Sequence, residues 1–375
     1  MQETQDTDLT IELFNFCRGT CTGCMLSASE RKEESPNLSI DDFKTAVTRL
    51  NDYSKISGLR FRSVLTFGDV IWMPLPTLKQ YFEAAAKAGI RLGSTMTLVD
   101  DKWGHYEQAI KMLKSIDETA VFDITVDPVR LDRYPDYAKR LRAAIEQAPH
   151  CHTQVLLSEA VIELYEPEEL SKKIASHLGR SAVLGFAASL SNISHKNYRY
   201  NVKSAADYAR RYYQATPQSL HLMTSDLMRY KGETKDSDGN YSDFLKQTLH
   251  IGHDLNIYPT AYTVFGDVIL DQRNHSRAIG SLRTHSLSEL LGSIRMLSMN
   301  AINKSTLDSD KIFGCSSCEF NASCSYNGVG MVRKIYSDFE TKSASCYGPK
   351  SLLGHHTALI EDAPLKGKTI PIKRA

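Results

Sequence analysis

The chain has 375 residues and a formal net charge of +1, with 42% hydrophobic and 24% charged residues. This composition is typical of a globular protein of about two domains and excludes disorder over most of the chain. The balanced charge provides no overall field for capturing nucleic acid, so a nucleic-acid partner is not expected. No apolar run approaches the ~20 residues of a membrane span, and the polar amino terminus does not resemble a signal peptide. We therefore expect a cytoplasmic protein without a membrane partner.

Short β-rich runs alternate with amphipathic helical stretches over the first half of the chain. Strands are predicted at residues 9–16, 62–67, 90–95, 121–126, 153–158 and 182–190. A helical stretch follows each strand, and Ser39 is expected to cap the first one. The residues expected on its buried face are Phe43, Val47 and Leu50. Six successive β/α units predict an α/β fold with a parallel sheet, curled into a full or partial barrel whose active residues lie at the carboxyl ends of the strands.

A polar, turn-rich segment follows these units and predicts a linker. Beyond it the pattern predicts a helical stretch, a hairpin over 262–270 and another helix near 286–299. The chain is thus predicted to divide into a core, a linker, a second domain and a basic tail at residues 1–231, 232–242, 243–350 and 351–375.

The eight cysteines are clustered along the chain. Cys17, Cys21 and Cys24 lie in one loop directly after the first predicted strand. Three thiolates at this spacing can bind a soft metal centre such as an iron–sulfur cubane, and they leave one iron open for a substrate or cofactor. A zinc site would need a fourth ligand, and no histidine lies within eighty residues of this group.

A second group of four cysteines supplies enough thiolates to close a metal site completely. It consists of Cys315, Cys318, Cys324 and Cys346. Taken alone, this spacing favours a structural zinc site, and an iron–sulfur cluster is the alternative. Cys151 stands alone before the fifth strand, where a small packed residue is expected.

The first cysteine group, in the loop after the first strand of a β/α array, resembles the motif of the radical S-adenosylmethionine (SAM) superfamily. This resemblance implies a partial (β/α)6 TIM-like barrel. It also implies a [4Fe-4S] cluster on Cys17, Cys21 and Cys24, with the amino and carboxyl groups of SAM on the fourth iron. Reductive cleavage of SAM then gives a 5′-deoxyadenosyl radical that abstracts hydrogen from the substrate, with electrons from a reductant such as flavodoxin or ferredoxin.

The resemblance also suggests residues that meet the amino group and the adenine of SAM. Gly68 and Asp69 are similar to the family's Gly-Gly-Glu segment, with Asp in place of Glu. Gly23 stands where the family usually has an aromatic residue before the third cysteine, so the adenine is expected to pack differently. A strand-end cap or turn is the alternative role of Asp69.

Further candidates for SAM binding lie at the ends of the third and fourth strands. Ser94 and Thr95, and then Thr125 and Asp127, occupy the places where the family contacts the methionine and ribose parts. Arg130, just beyond, is a candidate partner of the SAM carboxylate. A cap or a turn is again the alternative for each polar residue.

The second cysteine group is similar to the carboxy-terminal extension of the SPASM subgroup, which carries two auxiliary [4Fe-4S] clusters. Residues 266–270 and 279–282 also resemble that extension. Asp271 and Gly328 stand where the subgroup normally has cysteines, so we expect only the outer auxiliary cluster to be retained. Asp271 in the vacated space is a candidate general base, and a hairpin-turn carboxylate is the alternative.

The resemblance implies a radical SAM enzyme, of oxidoreductase or peptide-maturase type, that modifies a side chain of a ribosomally synthesised peptide or protein. Because only sixteen residues precede Cys17, we expect the peptide to be recognised at the barrel mouth or by a separate recognition protein. A small-molecule radical dehydrogenase or epimerase is a second hypothesis. A non-catalytic metal-binding regulator is a third. Cys151 is a candidate hydrogen donor if it is not simply packed.

Overall fold

Strands and helices alternate from residue 6 to residue 186, as the sequence pattern predicts. The computed structural model describes residues 6–11, 13, 38–64, 69–91, 93–98, 103–149, 151–157, 159–186, 208, 211–219, 249–258, 278–294, 296 and 317. The strands are Asp6–Ile11 (β1), Arg60–Val64 (β2), Gly93–Met96 (β3), Val121–Val126 (β4), His152–Leu157 (β5), Val183–Phe186 (β6), Leu249–Ile251 (β7), Asn256–Tyr258 (β8) and Gly280–Ser281 (β9). The helices are Ile40–Ser57 (α1), Leu75–Lys87 (α2), Trp103–Ile116 (α3), Pro128–Arg133 (α4), Pro135–Gln147 (α5), Glu159–Leu164 (α6) and Pro167–Leu178 (α7).

The described strands form two sheets. One contains β3, β4, β5 and β6 in that order, and all of its strand pairs are parallel. The other has the order β2-β1-β7-β8-β9, in which β1 pairs in parallel with both β2 and β7. β8 and β9 add antiparallel pairs at its edge. The predicted α/β class and its parallel pairing are therefore confirmed, and β1 is an interior strand.

Local signals in the sequence determine where α1 begins and ends. The Ser39 hydroxyl accepts a hydrogen bond from the backbone N–H of Asp42 at 3.1 Å, and Gly58 ends the helix with a left-handed φ of 75°. The side-chain cap and the left-handed glycine each help to pair backbone groups that have no hydrogen-bond partner within the helix. The predicted cap is confirmed, and so is the predicted buried face, which contains Phe43, Val47 and Leu50.

Strand β4 shows that the two faces of the sheet differ in burial. Its buried side chains pack in one core with those of α3 and α5, and they are Phe122, Ile124 and Val126. The alternate residues are only half-buried, and they are Val121, Asp123 and Thr125. Because strand side chains alternate between faces, one face of this sheet is covered by helices and the other is accessible to water.

The predicted helical stretch after the linker is wrong for residues 249–258. These residues form an antiparallel hairpin of β7 and β8, in which His250 pairs with Tyr258. Leu249 and Ile251 are both fully buried, which is the two-residue period of a strand. In the turn Leu255 adopts a left-handed φ of 64°. Short apolar runs fit a helix or a strand equally well, and here pairing with β1 decides the outcome.

The same hairpin joins the predicted second domain to the sheet of the core. Leu249 of β7 lies opposite Leu9 of β1, although residue 249 falls in the range predicted as a separate domain. Helix α1 adds two contacts to the segment after β9. The Arg283 guanidinium donates to the Asp42 carboxylate at 2.8 Å, and Arg49 donates to a backbone carbonyl of this segment. Residues 249–258 and 280–285 are thus continuous with the core.

Several predicted segments lie outside the described residues: the linker at 232–242, the hairpin at 262–270 and the tail at 351–375. Helical residues 287–294 fall within the helix predicted near 286–299. In the described ranges, no helix is both long enough and apolar enough to cross a membrane.

Replacing Ser39 by Ala is expected to lower the free energy of unfolding by about 1 kcal/mol, because the Asp42 N–H loses its acceptor. Urea denaturation followed by circular dichroism measures this change. Ser39→Asn keeps a capping oxygen and should retain the wild-type midpoint. Equal losses in both variants would contradict a role for the cap.

Candidate functional site

The first cysteine group follows the carboxyl end of an interior strand. β1 is held on one side by β2 and on the other by β7, so its end has a fixed place in the sheet. The predicted metal ligands and three other candidates lie outside the described residues: Cys17, Cys21, Cys24, Cys315, Cys318, Cys324, Cys346, Gly23, Gly68 and Asp271. Within the described part of the chain, no group of three or more His, Cys, Asp or Glu side chains could hold a metal ion.

Asp69 is the most buried polar residue of the site. Its side chain has no solvent exposure, and its Oδ2 atom accepts hydrogen bonds from the Thr97 N–H at 3.0 Å and the Thr97 hydroxyl at 2.7 Å. The Tyr106 hydroxyl donates a third hydrogen bond to Oδ2 at 2.7 Å. Oδ1 is also buried and has no hydrogen-bond partner among the described residues. The carboxylate therefore links the segment after β2, the carboxyl end of β3 and helix α3.

Burial raises the pKa of Asp69 above its ordinary value, and the hydrogen bonds from Thr97 and Tyr106 oppose this shift. The backbone N–H of Ile71 opposes it to a smaller extent. Burial also raises the pKa of the Tyr106 hydroxyl, and the neighbouring Asp69 charge adds to that effect. Tyr106 thus remains a hydrogen-bond donor over the whole physiological pH range. A buried carboxylate with one unbonded oxygen either takes up a proton or requires a cation beside it.

The backbone next to this cluster has an unusual conformation. Leu98 follows Thr97 and is buried with a left-handed φ of 52°, which costs about 1 kcal/mol for a residue of this type. Its carbonyl accepts a hydrogen bond from the Arg140 side chain of α5 at 3.2 Å. This contact holds the chain in the turn that directs the Thr97 N–H at Asp69.

Asp127 and Arg130 form a buried ion pair directly after β4. Both residues are about 3% exposed, and Arg130 Nε lies 3.7 Å from Asp127 Oδ2. Asp127 also caps α4, because its Oδ1 accepts from the Val129 N–H at 2.9 Å. The Tyr137 hydroxyl donates to the Thr125 carbonyl at 3.0 Å. The structure thus brings three predicted candidates together at one strand end, with Arg130 held by Asp127.

The face of the sheet opposite the helices is mostly polar and accessible. We call it the polar face after its polar members, which are Thr95, Asp123, Thr125, His152 and Gln154; Val121 and Val183 lie on the same side. Strand register aligns Thr95 with Asp123, Asp123 with His152, and Thr125 with Gln154. Paired residues of parallel strands point to the same side, and the His152 Nδ1 lies 3.6 Å from the Asp123 Oδ1. A packed barrel interior has Val, Ile and Leu at such positions, so this face suits a polar ligand.

Ser94 and Thr95 lie on opposite faces of β3, which continues to Met96. Ser94 is about 1% exposed and pairs with Phe122 on the helix-covered face. Thr95 is half-buried and belongs to the polar face. Of these two candidates, only Thr95 therefore presents its side chain to the accessible face.

Cys151 is buried directly before β5. Its Sγ accepts a hydrogen bond from the Arg180 guanidinium at 2.9 Å. Burial raises the pKa of this thiol, although the Arg180 charge opposes the shift. A buried neutral thiol of this kind behaves as a small packed residue, which supports the packing interpretation.

The sequence prediction missed Thr97 and Tyr106 as members of the site. Tyr106 fits the apolar periodicity of α3, but a buried tyrosine hydroxyl needs a hydrogen-bond partner, and this rule could have marked it. Thr97 comes one residue after the end of β3, where a polar side chain could have been noted for the same reason. The left-handed φ of Leu98 has no signal in the sequence.

Comparison with known proteins identifies the architecture. No family model and no curated protein matches the sequence. A solved structure of histidine-tagged anSMEcpe with bound AdoMet has a TM-score of 0.62 at 12% identity, over 96% of this chain and 98% of that chain. Native anSMEcpe with bound AdoMet and Cp18Cys peptide has a TM-score of 0.59 at 10% identity, over 95% and 98%. Streptococcus suis SuiB bound to precursor peptide SuiA has a TM-score of 0.53 at 15% identity, over 86% and 71%.

The chain shares the fold of anSMEcpe and SuiB. At these identities the likeness shows the fold alone. Within this fold, the described candidate residues lie at the carboxyl ends of the strands, where α/β folds place their ligands.

Asp69→Asn is expected to change how stability depends on pH. Because the folded-state pKa of Asp69 is raised, folding takes up a proton between about pH 4, near the ordinary value, and the folded pKa. The wild-type protein therefore loses stability relative to Asp69→Asn as the pH rises through that window. Urea denaturation at several pH values between about 4 and about 7.5 measures the difference. A difference that does not change with pH would contradict this reasoning.

Proposed function

We propose that this chain is a radical SAM enzyme that modifies a side chain of a ribosomally synthesised peptide or protein. The observation that carries the proposal is the Cys17-x3-Cys21-x2-Cys24 motif, which follows an interior strand in the sequence of a chain that shares the fold of AdoMet-bound anSMEcpe. In the proposal, Cys17, Cys21 and Cys24 hold a [4Fe-4S] cluster. The bound cluster and SAM would supply a 5′-deoxyadenosyl radical for hydrogen abstraction.

The described residues fit SAM at two of its groups. Among the described residues, the buried Asp69 Oδ1 has no hydrogen-bond partner, so it suits an N–H donor such as the amino group of SAM. Arg130 suits the SAM carboxylate if it exchanges part of its contact with Asp127. We also assign Thr95 and Thr125, on the polar face, and Asp127 to the methionine and ribose parts. Two other candidates, Gly23 and Gly68, remain part of the proposal.

A peptide substrate is supported by two kinds of observation. The similar solved structures include anSMEcpe with bound Cp18Cys peptide and SuiB with precursor peptide SuiA. In this chain, the polar face offers a carboxylate, an amide, an imidazole and hydroxyl groups to an incoming polar segment. A separate recognition protein and a reductant such as flavodoxin or ferredoxin complete the proposed set of partners, and the proposed location is the cytoplasm.

The finer architecture is also part of the proposal. The two sheets would belong to a partial (β/α)6 TIM-like barrel, followed by a small SPASM-like domain. Cys315, Cys318, Cys324 and Cys346 would hold one auxiliary [4Fe-4S] cluster. Asp271 would stand in the space of the missing inner cluster as a candidate general base.

Cys24→Ala is expected to remove the SAM-binding cluster, because two thiolates do not retain a stable cubane. After anaerobic reconstitution, the variant should contain about four fewer irons per chain than the wild type and should form no 5′-deoxyadenosine from SAM under reducing conditions. Cys151→Ser is the matched control and should retain both properties. Formation of 5′-deoxyadenosine at the wild-type rate by Cys24→Ala would overturn the proposed function.

The auxiliary site has its own test. Two cubane clusters predict about eight irons and no zinc per reconstituted chain, whereas a structural zinc site predicts about four irons and one zinc. Metal analysis of the wild type and of Cys318→Ala measures these contents. If the zinc content falls from about one per chain in the wild type to zero in Cys318→Ala, these cysteines form a zinc site and not an auxiliary iron–sulfur cluster.

A further inference from the structure

The Asp69 carboxylate is held asymmetrically. All three hydrogen bonds from Thr97 and Tyr106 end on Oδ2, at 2.7 to 3.0 Å, and among the described residues the equally buried Oδ1 has no hydrogen-bond partner. A carboxylate that only joined structural elements would be expected to use both oxygens, because a buried unpaired acceptor is costly. The Ile71 N–H acts on the carboxylate only weakly, so Oδ1 is left for a stronger donor from outside the described residues.

The donors that hold Oδ2 are themselves fixed. Tyr106 is about 1% exposed, and its ring contacts Trp72 edge to face with centroids 5.9 Å apart. The Trp72 ring also stacks on His105, a titratable neighbour on α3. Thr97 lies between β3 and Leu98, whose carbonyl is tied to Arg140. Asp69 therefore has little freedom to rotate and exchange its two oxygens.

A strong N–H donor is the partner that this environment favours. Burial opposes the charge of Asp69, and the hydrogen bonds to Oδ2 compensate for part of that cost. An N–H donor at Oδ1 would compensate for the remainder, because a hydrogen bond to an ionised carboxylate is charge-assisted and stronger than one between neutral groups.

We propose that Thr97 and Tyr106 are positioning residues for SAM, which hold Oδ2 of Asp69 so that Oδ1 receives the amino group of SAM. This inference rests on the proposed function and adds two residues to its binding site. Neither residue touches SAM in this arrangement. Each acts through the orientation and charge of Asp69.

The test compares two ligands on the reconstituted, cluster-loaded protein. One is SAM, and the other is the SAM analogue that carries a keto group in place of the amino group. Tyr106→Phe should raise the dissociation constant of SAM about tenfold, which corresponds to about 1.4 kcal/mol, and should leave that of the analogue unchanged. Thr97→Val removes the second side-chain donor and should have the same selective effect. Equilibrium dialysis measures both constants.

Matched controls separate positioning from general packing. Thr97→Ser keeps the hydroxyl and should bind SAM like the wild type. Tyr134→Phe removes the hydroxyl of an exposed tyrosine and should change neither constant. Iron content should be equal in all variants, because none of these residues is a proposed cluster ligand.

The possible results have distinct meanings. Equal weakening of both ligands in Tyr106→Phe and Thr97→Val would show a merely structural role and overturn the inference. Wild-type affinity for SAM in both variants would overturn it as well. If Tyr106→Phe does not fold, the result for Thr97→Val decides. Failure of the wild-type protein to bind SAM at all would instead overturn the proposed function itself.

Discussion

A single buried carboxylate constrains how the described core is arranged. Asp69 has no access to water, so its charge must be compensated by donors from the protein or by a ligand. Its described partners are Thr97 and Tyr106, which lie 28 and 37 residues further along the chain. The segment after β2, the end of β3 and the first turn of α3 must therefore meet at one point. Loss of either partner leaves a poorly compensated buried charge, which costs more than the hydrogen bond alone is worth.

The parallel sheet of β3, β4, β5 and β6 determines which side chains lie on the accessible side of the core. Alternation along β4 sends Phe122, Ile124 and Val126 under the helices and sends Asp123 and Thr125 to the accessible face, where Thr95, His152 and Gln154 align with them. The polar face is therefore built on hydrogen-bonded parallel strands, whose register fixes the spacing of its residues. The buried pair of Asp127 and Arg130 stands at the end of the same strands, so charged groups collect where parallel strands finish.

Pairing of β7 with β1 links the two halves of the chain. Without β7, β1 would be an edge strand of the described sheet, and its carboxyl end, which precedes the first cysteine group in the sequence, would be less constrained. The contact between Asp42 and Arg283 fixes the same later segment against α1. The hairpin of β7 and β8 thus supports the strand from which the proposed cluster loop begins, although it lies more than two hundred residues away in sequence.

The sequence by itself determined the β/α alternation, the bounds of β4 and the cap at Ser39, because these depend on residues close together in the chain. Its spacing of cysteines also determined which chemistry to expect. Only the tertiary structure decided that residues 249–251 form a strand, since a short apolar run takes its conformation from the partner it meets. Only the tertiary structure shows that the Tyr106 hydroxyl donates to Asp69, and that Ser94 and Thr95 lie on opposite faces of the sheet. Such contacts depend on strand register and helix packing, which bring together residues that local sequence patterns treat as independent.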